Sequence, residues 1–362
     1  QIVGTVLGSR LANRDVRGLK PDDRRRRAAI ARIELFEPVG KGDLLELRHD
    51  DEFDQFLTTI AADDAAAGDV IECRVPRSMP EGCRVRVIRS QRAIDAAGAA
   101  ARRAGKTVRS VYLGGGTPTT LEAPQLAELL DRLRRAFQLA PGTECTVEAG
   151  RPDTIDRAKL EVLKRHGVGR ISINPQTLED HVLRAIGRRH RAGDIRAAND
   201  LARSVGFDCI NMDLIAGLPQ DSCEGFRRSL EGVLEMEPEN VTVHTLALKK
   251  GSTLMERGGS LPSGAEVAEM LDFSREILIQ RGYRPYYLYR QKYMSGALEN
   301  VGWAKPETEN LYNIIMMEEL QTVVSVGGGG VTKLVDYAAG RIVPLPNPKY
   351  PHDYLTSLEK VL

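Results

Sequence analysis

The spacing of apolar residues divides the chain into two regions that differ in their predicted secondary structure. In the amino-terminal region, from Ile30 to Ile88, short apolar runs alternate with glycine and proline turn signals at close intervals. This pattern is typical of a small β-rich module. We expect its strands at residues 31–36, 43–47, 70–74 and 84–88. Small and basic residues at 93–106 then predict a helix that leads out of the module.

From Val108 onward, apolar strand-like runs alternate with amphipathic stretches of helical periodicity. A repeat of about 25 to 35 residues is typical of βα units that build a parallel sheet. Glycines fall where the helices should end, which fits the preference of helix C-termini for this residue, at Gly167, Gly206 and Gly282. We expect strands at residues 110–113, 145–148, 170–173, 209–215, 241–248 and 286–289.

Unusual residues follow the predicted strands, and the carboxyl ends of parallel strands are where such folds bind ligands. A triple glycine lets the backbone approach a ligand closely, but it is at least as often only a turn. Glu148 and Asp213 could accept hydrogen bonds from a ligand, or could equally cap a helix or pair with an arginine. Their occurrence on successive strand ends favours one ligand site. The set comprises Gly114, Gly115, Gly116, Thr117, Glu148, Gln176, Asp213 and Ala247.

Composition excludes several classes of partner. The net charge is +1, aromatic residues make up 5%, and no apolar run reaches the roughly 20 residues of a membrane-spanning helix. We therefore expect neither a membrane nor a nucleic-acid partner, and interpret the basic run 24–27 as a solvated helix start. The five cysteines are odd in number and widely spaced, which indicates a reducing compartment. The chain, which begins with Gln1, is interpreted as a fragment of a cytoplasmic protein.

Several runs after Val108 carry a specific family resemblance. Residues 111–119 read VYLGGGTPT, 171–176 ISINPQ, 211–219 NMDLIAGLP and 299–306 ENVGWAKP. With 146–152, 243–246, 286–291 and 325–330, they make the chain similar to radical S-adenosylmethionine (SAM) enzymes of the oxygen-independent coproporphyrinogen III oxidase type. The resemblance implies an α/β fold with a partial (β/α) barrel, an N-terminal β-rich module and a C-terminal α+β extension. The corresponding domains would be 1–95, 96–255 and a substrate-side domain at 256–362.

The resemblance also implies a chemistry. Members bind a [4Fe-4S] cluster and SAM, take electrons from a donor protein, and oxidatively decarboxylate coproporphyrinogen III to protoporphyrinogen IX in haem biosynthesis. Gly115 and Glu148 match residues that hold the cluster-bound SAM. Residues around a second SAM are matched by Gly116, Thr117, Gln176, Arg188, Asp213 and Ala247. The resemblance assigns no catalytic residue. His190, His244, Arg290, Lys292 and Lys305 are open candidates for substrate contacts, with a core or surface role as the alternative.

The chain departs from the family at the cluster. Three cysteines in a C-x-x-x-C-x-x-C loop should hold it, but only Cys73 and Cys83 precede Gly114, and nine residues lie between them. Cys145 and Cys209 lie in strand runs and are interpreted as buried small hydrophobic residues. We therefore expect no metal ligands, and no porphyrinogen decarboxylation if this chain is complete.

The amino-terminal region has a weaker resemblance of its own. Residues 31–47, 67–73 and 80–91 are similar to the C-terminal β-domain of the collagenase-like peptidase family. A natural fusion, an internal deletion that joined two genes, and a misassembled sequence would each explain the combination. Two other functions stay open beside the enzyme-derived one: a haem- or tetrapyrrole-binding chaperone, since relatives without oxidase activity act as haem chaperones, and an accessory domain of a peptidase-like protein.

Overall fold

A computed structural model describes residues 2–12, 28–49, 56–89, 91–247, 261–289, 298–349 and 353–354. The chain divides into two compact units. Unit 1 consists of residues 1–107, 132–139 and 322–362, and unit 2 of residues 108–131 and 140–321. The basic run 24–27 and the side chains of Arg290 and Lys292 lie outside the described residues. The division into domains at residues 95 and 255 stays a prediction.

Six antiparallel strands form the sheet of unit 1, in the order β4-β3-β6-β1-β2-β5. The Thr59 hydroxyl of β4 donates to the Arg74 carbonyl of β5 at 2.7 Å, so the two end strands lie in contact. Alternate residues are buried in β2, such as Ala31 and Ile33, whereas four consecutive residues are buried in β3. The strands are β1 Ile2–Leu11, β2 Ala29–Leu35, β3 Leu44–Arg48, β4 Phe56–Ile60, β5 Val70–Val75 and β6 Arg84–Arg89.

Strands β2, β3, β5 and β6 were expected from the sequence, whereas β1 and β4 were not. In β1, Gly4 and Gly8 interrupt the apolar alternation, and Gly8 has a φ of +143° at a bulge in the pairing with β2. Glycine is the residue that adopts this backbone conformation without strain. Unit 1 also contains helix α1, Gln91–Arg103, and a hairpin of β14, Val331–Asp336, and β15, Arg341–Pro346.

Unit 2 contains a seven-stranded sheet in the order β12-β13-β11-β10-β9-β8-β7. Strands β7 to β11 are parallel, and β13 lies antiparallel between β11 and β12. Strand β12 therefore runs in the same direction as β11 without touching it. The strands are β7 Ser110–Leu113, β8 Glu144–Glu148, β9 Arg170–Ser172, β10 Cys209–Ala216, β11 Asn240–Thr245, β12 Arg284–Tyr289 and β13 Asn300–Ala304.

Helices alternate with these strands along the chain. Asp156 begins α3 by accepting a hydrogen bond from the Lys159 amide, and Gly206 ends α5 with a φ of +94°. Gly167 and Gly282 also have positive φ at helix ends, as the sequence predicts. The α/β fold with a partial barrel is confirmed. The helices are α2 Ala123–Phe137, α3 Arg157–Arg165, α4 Asp180–Ala185, α5 Ala192–Val205, α6 Cys223–Leu234, α7 Gly264–Gln280 and α8 Leu311–Glu318.

Candidate functional site

The two faces of the seven-stranded sheet differ in polarity. In β10, Ile210, Met212 and Leu214 are fully buried on one face, while Asn211 and Asp213 alternate with them on the other. Strand register carries this alternation across the sheet and defines a polar face. Its members are Ser110, Tyr112, Glu144, Thr146, Glu148, Arg170, Ser172, Asn211, Asp213, Asn240, Thr242 and His244.

The chain itself occupies the half of the polar face nearest the amino ends of the strands. Glu144 accepts hydrogen bonds from the Leu311 and Tyr312 amides at 2.9 and 3.1 Å, at the start of α8. Arg170 and Asn240 donate to the Thr308 carbonyl at 2.7 and 2.9 Å. These backbone contacts satisfy Glu144, Asn240 and one nitrogen of Arg170, while Arg170 Nε and Nη1 stay without a partner. Among the described residues, no such segment lies over the carboxyl-end half of the face, which leaves it for a ligand.

At the carboxyl end, the loop after β7 lies beside Glu148. A side chain at Gly114 would collide with the Glu148 carboxylate, because a Cβ atom there would lie 2.7 Å from Cδ. Gly115 has a φ of +82°, and Gly115 and Gly116 have no neighbouring atoms within 4 Å of where their Cβ atoms would be. The loop therefore requires glycine for close packing at Gly114 and for backbone conformation at Gly115, and it exposes main-chain groups beside a carboxylate.

Glu148 is held from two sides. The Tyr112 hydroxyl donates to its Oε1 at 2.6 Å, and the Gly115 amide also hydrogen-bonds the carboxylate. The Tyr112 ring stacks on Tyr312, with 4.4 Å between ring centroids. Burial and the negative charge of Asp213 raise the pKa of Glu148 above its ordinary value, against these hydrogen bonds. Glu148 is thus an oriented carboxylate that would gain from a cationic or hydroxyl-bearing ligand.

Asp213 lies in a network of side chains from neighbouring strands. Asn211 donates to its Oδ1 at 2.7 Å, and Nε2 of His244 lies 3.6 Å from its Oδ2. Burial acts to raise the pKa of Asp213, but the contacts with His244, Asn211 and Thr242 outweigh it and hold this pKa below its ordinary value. Asp213 therefore stays ionised.

Gln176 and Arg188 belong to loops at the same end of the sheet. Gln176 extends β9 beyond its last residue: its amide donates to the Asp213 carbonyl at 2.9 Å, and it has a φ of +68°. Burial and the like charge of Arg151 lower the pKa of the Arg188 guanidinium. Arg151 is paired with Asp153 at 2.9 Å, and the described residues contain no carboxylate in an ion pair with Arg188. Arg188 is therefore the cation available to an anionic ligand group.

The structure thus brings most of the predicted site residues to one edge of the sheet. Thr117 follows the glycine loop and Ala247 follows β11, both half-buried at this edge. Their roles towards SAM stay predictions. No role was predicted for Tyr112, Tyr289 or Asn300, which support Glu148 and His244 from neighbouring strands. Only strand pairing puts them there, so no local signal could have identified them.

The cysteines do not form a cluster site. Cys73 and Cys83 are buried in the core of the unit 1 sheet, and burial raises the pKa of the Cys73 thiol to about 11. Cys145 is buried, Cys209 is half-buried on the polar face, and Cys223 begins α6. Among the described residues, no group of three or more His, Cys, Asp or Glu side chains is arranged to hold a metal ion. The residues present fit SAM but do not fit a [4Fe-4S] cluster.

Comparison with known proteins agrees with this geometry. The family described as the radical SAM superfamily matches residues 73–231. A Bacillus subtilis protein, oxygen-independent coproporphyrinogen-III oxidase-like protein HemZ, is 43% identical over 250 residues, or 68% of this chain and 50% of that protein. The chain belongs to the radical SAM proteins of the HemZ and HemN type. Its family match begins at Cys73, which lies in β5 of unit 1 rather than in the barrel.

Other relatives carry a different name. The heme chaperone HemW of Escherichia coli is 28% identical over 251 residues, or 69% of this chain and 62% of that protein. The solved structure of HemN, a coproporphyrinogen III oxidase of E. coli, matches with a TM-score of 0.59 at 24% identity, over 74% of this chain and 61% of HemN. This likeness shows the fold alone. The chain thus spans between half and two thirds of the length of these relatives. No helix among the described residues is both long and apolar enough to cross a membrane.

Proposed function

We propose that unit 2 is the SAM-binding part of a HemZ-like protein of tetrapyrrole metabolism. The observation that carries this proposal is that two carboxylates, Glu148 and Asp213, lie near each other at the open end of the polar face, beside the exposed Gly115–Gly116 backbone. The Glu148 carboxylate suits the ammonium of one SAM, and Asp213 with the available Arg188 suits the ribose hydroxyls and the carboxylate of a second. The coproporphyrinogen III dehydrogenase activity implied by the resemblance, and its cytoplasmic location, remain part of this proposal.

Equilibrium binding of SAM to the full chain tests the proposal directly. We expect saturable binding of one or more SAM molecules that competes with S-adenosylhomocysteine. Arg188→Met should weaken SAM binding by about tenfold, because it removes a charge-assisted hydrogen bond to the ligand carboxylate. Arg189→Met is the matched control, since Arg189 is its exposed neighbour in the chain. Absence of SAM binding by the unmodified chain would refute the proposal.

We expect this chain to bind SAM without cleaving it. Cleavage by radical SAM enzymes takes an electron from a cluster held by cysteine thiolates, and the described cysteines are dispersed over two units. Anaerobic reconstitution with iron and sulfide, followed by dithionite, should give no visible cluster absorbance and no 5′-deoxyadenosine. HemZ of B. subtilis, treated in parallel, checks the reconstitution. Formation of 5′-deoxyadenosine by this chain would contradict the prediction.

A second function, haem binding, is favoured by the relatives named heme chaperone HemW. Two partly exposed tyrosines, Tyr112 and Tyr289, lie on or beside the polar face, and planar tetrapyrroles pack well on aromatic rings. Titration with haem should then produce a shifted Soret band that saturates at micromolar haem. Competition shows whether the two ligands share a site, because haem bound at this edge should be displaced by excess S-adenosylhomocysteine.

A further inference from the structure

Four strands of unit 2 contribute to one chain of hydrogen-bonding groups that ends at Asp213. Its members are Asn300 of β13, Tyr289 of β12, His244 of β11 and Asp213 of β10. The Tyr289 hydroxyl and the Nδ1 atom of His244 are 3.1 Å apart. The Nε2 atom of His244 faces Oδ2 of Asp213 at 3.6 Å, an electrostatic contact slightly longer than a hydrogen bond.

Which group donates and which accepts in this series of hydrogen bonds follows from Asn300 at its buried end. Asn300 is 1% exposed, and its Oδ1 accepts a hydrogen bond from the Thr245 amide at 2.7 Å. Because a backbone N–H can only donate, this contact fixes which end of the Asn300 amide is oxygen. The Nδ2 group is then the one that hydrogen-bonds the Tyr289 hydroxyl oxygen.

The same argument determines which nitrogen of the His244 imidazole carries the hydrogen. The Tyr289 oxygen accepts from Asn300, so its single hydrogen is directed to Nδ1 of His244. Burial raises the pKa of the Tyr289 phenol, so the phenol keeps that hydrogen. A neutral imidazole that accepts at Nδ1 carries its own hydrogen on Nε2. The hydrogen on Nε2 points towards the carboxylate of Asp213.

We propose that His244 is a positioning residue, which Tyr289 holds in the Nε2-protonated form so that Asp213 presents its remaining lone pairs to the ribose hydroxyls of an adenosyl ligand. This inference rests on the proposed function, in which Asp213 contacts the ribose of SAM. Asn211 fixes Oδ1 of the same carboxylate at 2.7 Å, so both oxygens have a fixed orientation. His244 is 25% and Asp213 18% exposed, which leaves them open to a ligand at the edge of the sheet.

Ligand discrimination tests the role of His244. The wild-type chain should bind S-adenosylhomocysteine about tenfold or more tightly than its 2′-deoxy analogue, because loss of a hydroxyl removes a hydrogen bond to a charged group. In His244→Asn, which has no donor at the Nε2 position, the two affinities should differ by less than about threefold. His244→Gln carries an amide nitrogen at that position and should keep most of the discrimination.

The matched control is His181→Asn. His181 also faces a carboxylate, Glu179, at 3.7 Å, but it is about half exposed and lies away from Asp213. This variant should keep the wild-type ratio of affinities. A variant that is merely misfolded would weaken both ligands equally and leave the ratio unchanged, so a collapsed ratio in His244→Asn supports the positioning role. An unchanged ratio in a His244→Asn protein that melts at the wild-type temperature would overturn it.

The protonation state of His244 can be measured without any ligand. In the full chain labelled with ¹⁵N-histidine, we expect the His244 signal of an unprotonated Nδ1 and a protonated Nε2, with His244→Gln identifying the signal. Tyr289→Phe should abolish this preference. A protonated Nδ1 in the wild type overturns the inference even if SAM binds, whereas absence of SAM binding with the expected tautomer overturns the proposed function.

Discussion

Glu148→Gln should weaken SAM binding by about tenfold to a hundredfold while it raises the melting temperature of the protein. The affinity falls because a charge-assisted hydrogen bond to the ligand is lost, at a cost of about 1.5–3 kcal/mol. The stability rises because the fold disfavours the ionised form of Glu148, as its raised pKa shows. The glutamine Oε1 can still accept the Tyr112 hydrogen bond, and a weaker contact with the Gly115 amide offsets only part of the gain.

The raised pKa of Glu148 also sets the pH dependence of binding. A raised pKa means that Glu148 takes up its proton at a higher pH than an ordinary glutamate, whereas Asp213, with its lowered pKa, stays charged there. Wild-type SAM affinity should therefore decrease as the pH falls from neutrality, starting above the usual glutamate range. In Glu148→Gln this decrease should disappear. Calorimetric titration across this pH range, with melting curves, measures both effects.

Glu144 provides the contrast, because it lies on the same face of the same strand. Its two oxygens accept from the Ser110 hydroxyl and from the first amides of α8. A glutamine cannot accept at both positions, so Glu144→Gln should cost about 1–3 kcal/mol of the free energy of unfolding. We therefore expect Glu148→Gln to raise the stability of the protein and Glu144→Gln to lower it. A Glu148→Gln protein that melts earlier and binds SAM normally would contradict our assignment of Glu148.

Gly302→Ala should be among the most destabilising substitutions in unit 2, at about 3 kcal/mol. The ring of Tyr287 lies on Gly302, so a Cβ atom there would collide with its Cε1, Cδ1 and Cζ atoms. The ring cannot move aside easily, since Tyr287 is 8% exposed and packs against Tyr286 with 4.7 Å between ring centroids. Forcing a methyl group into a filled core usually costs about 1–3 kcal/mol, and backbone shifts in β13 favour the upper end.

Urea unfolding of the full chain measures this cost. Gly193→Ala in α5 is the matched control, because nothing lies within 4 Å of its Cβ position, and it should change stability by less than about 0.5 kcal/mol. In a Tyr287→Ala background, Gly302→Ala should lose most of its effect, since the colliding ring is gone. An equal cost in both backgrounds would show that the ring is not the cause.

The parallel strands of unit 2 could be predicted because apolar runs and glycine helix ends are local signals. β9 and β10 lie within a residue of their expected bounds, at 170–173 and 209–215. Strand β13 was not predicted, since Gly302 interrupts its short apolar pattern. Its antiparallel insertion between β11 and β12 could not be predicted either, because periodicity does not report strand direction.

The residues of the candidate site also differ in whether the sequence could predict them. Glu148 could be identified because it ends β8, and Asp213 because it lies in the carboxyl-end half of β10, a rule that depends only on chain order. Tyr289 and Asn300 could not, because they act on His244, and Tyr289 is separated from His244 by 45 positions in the sequence. The sequence predicts no cluster ligands from the spacing of its cysteines, and the structure places Cys73 and Cys83 in the buried core of unit 1.

The contacts of Glu144 with α8 have a consequence for synthesis on the ribosome. Glu144 and its partner amides are separated by 167 and 168 residues, so the carboxylate has no helix to bind until the chain is made beyond residue 312. Contacts of such long range close slowly. The polar face of the parallel strands therefore stays uncovered until residue 312 has been synthesised, and an incomplete sheet of this kind is exposed to misfolding during that interval.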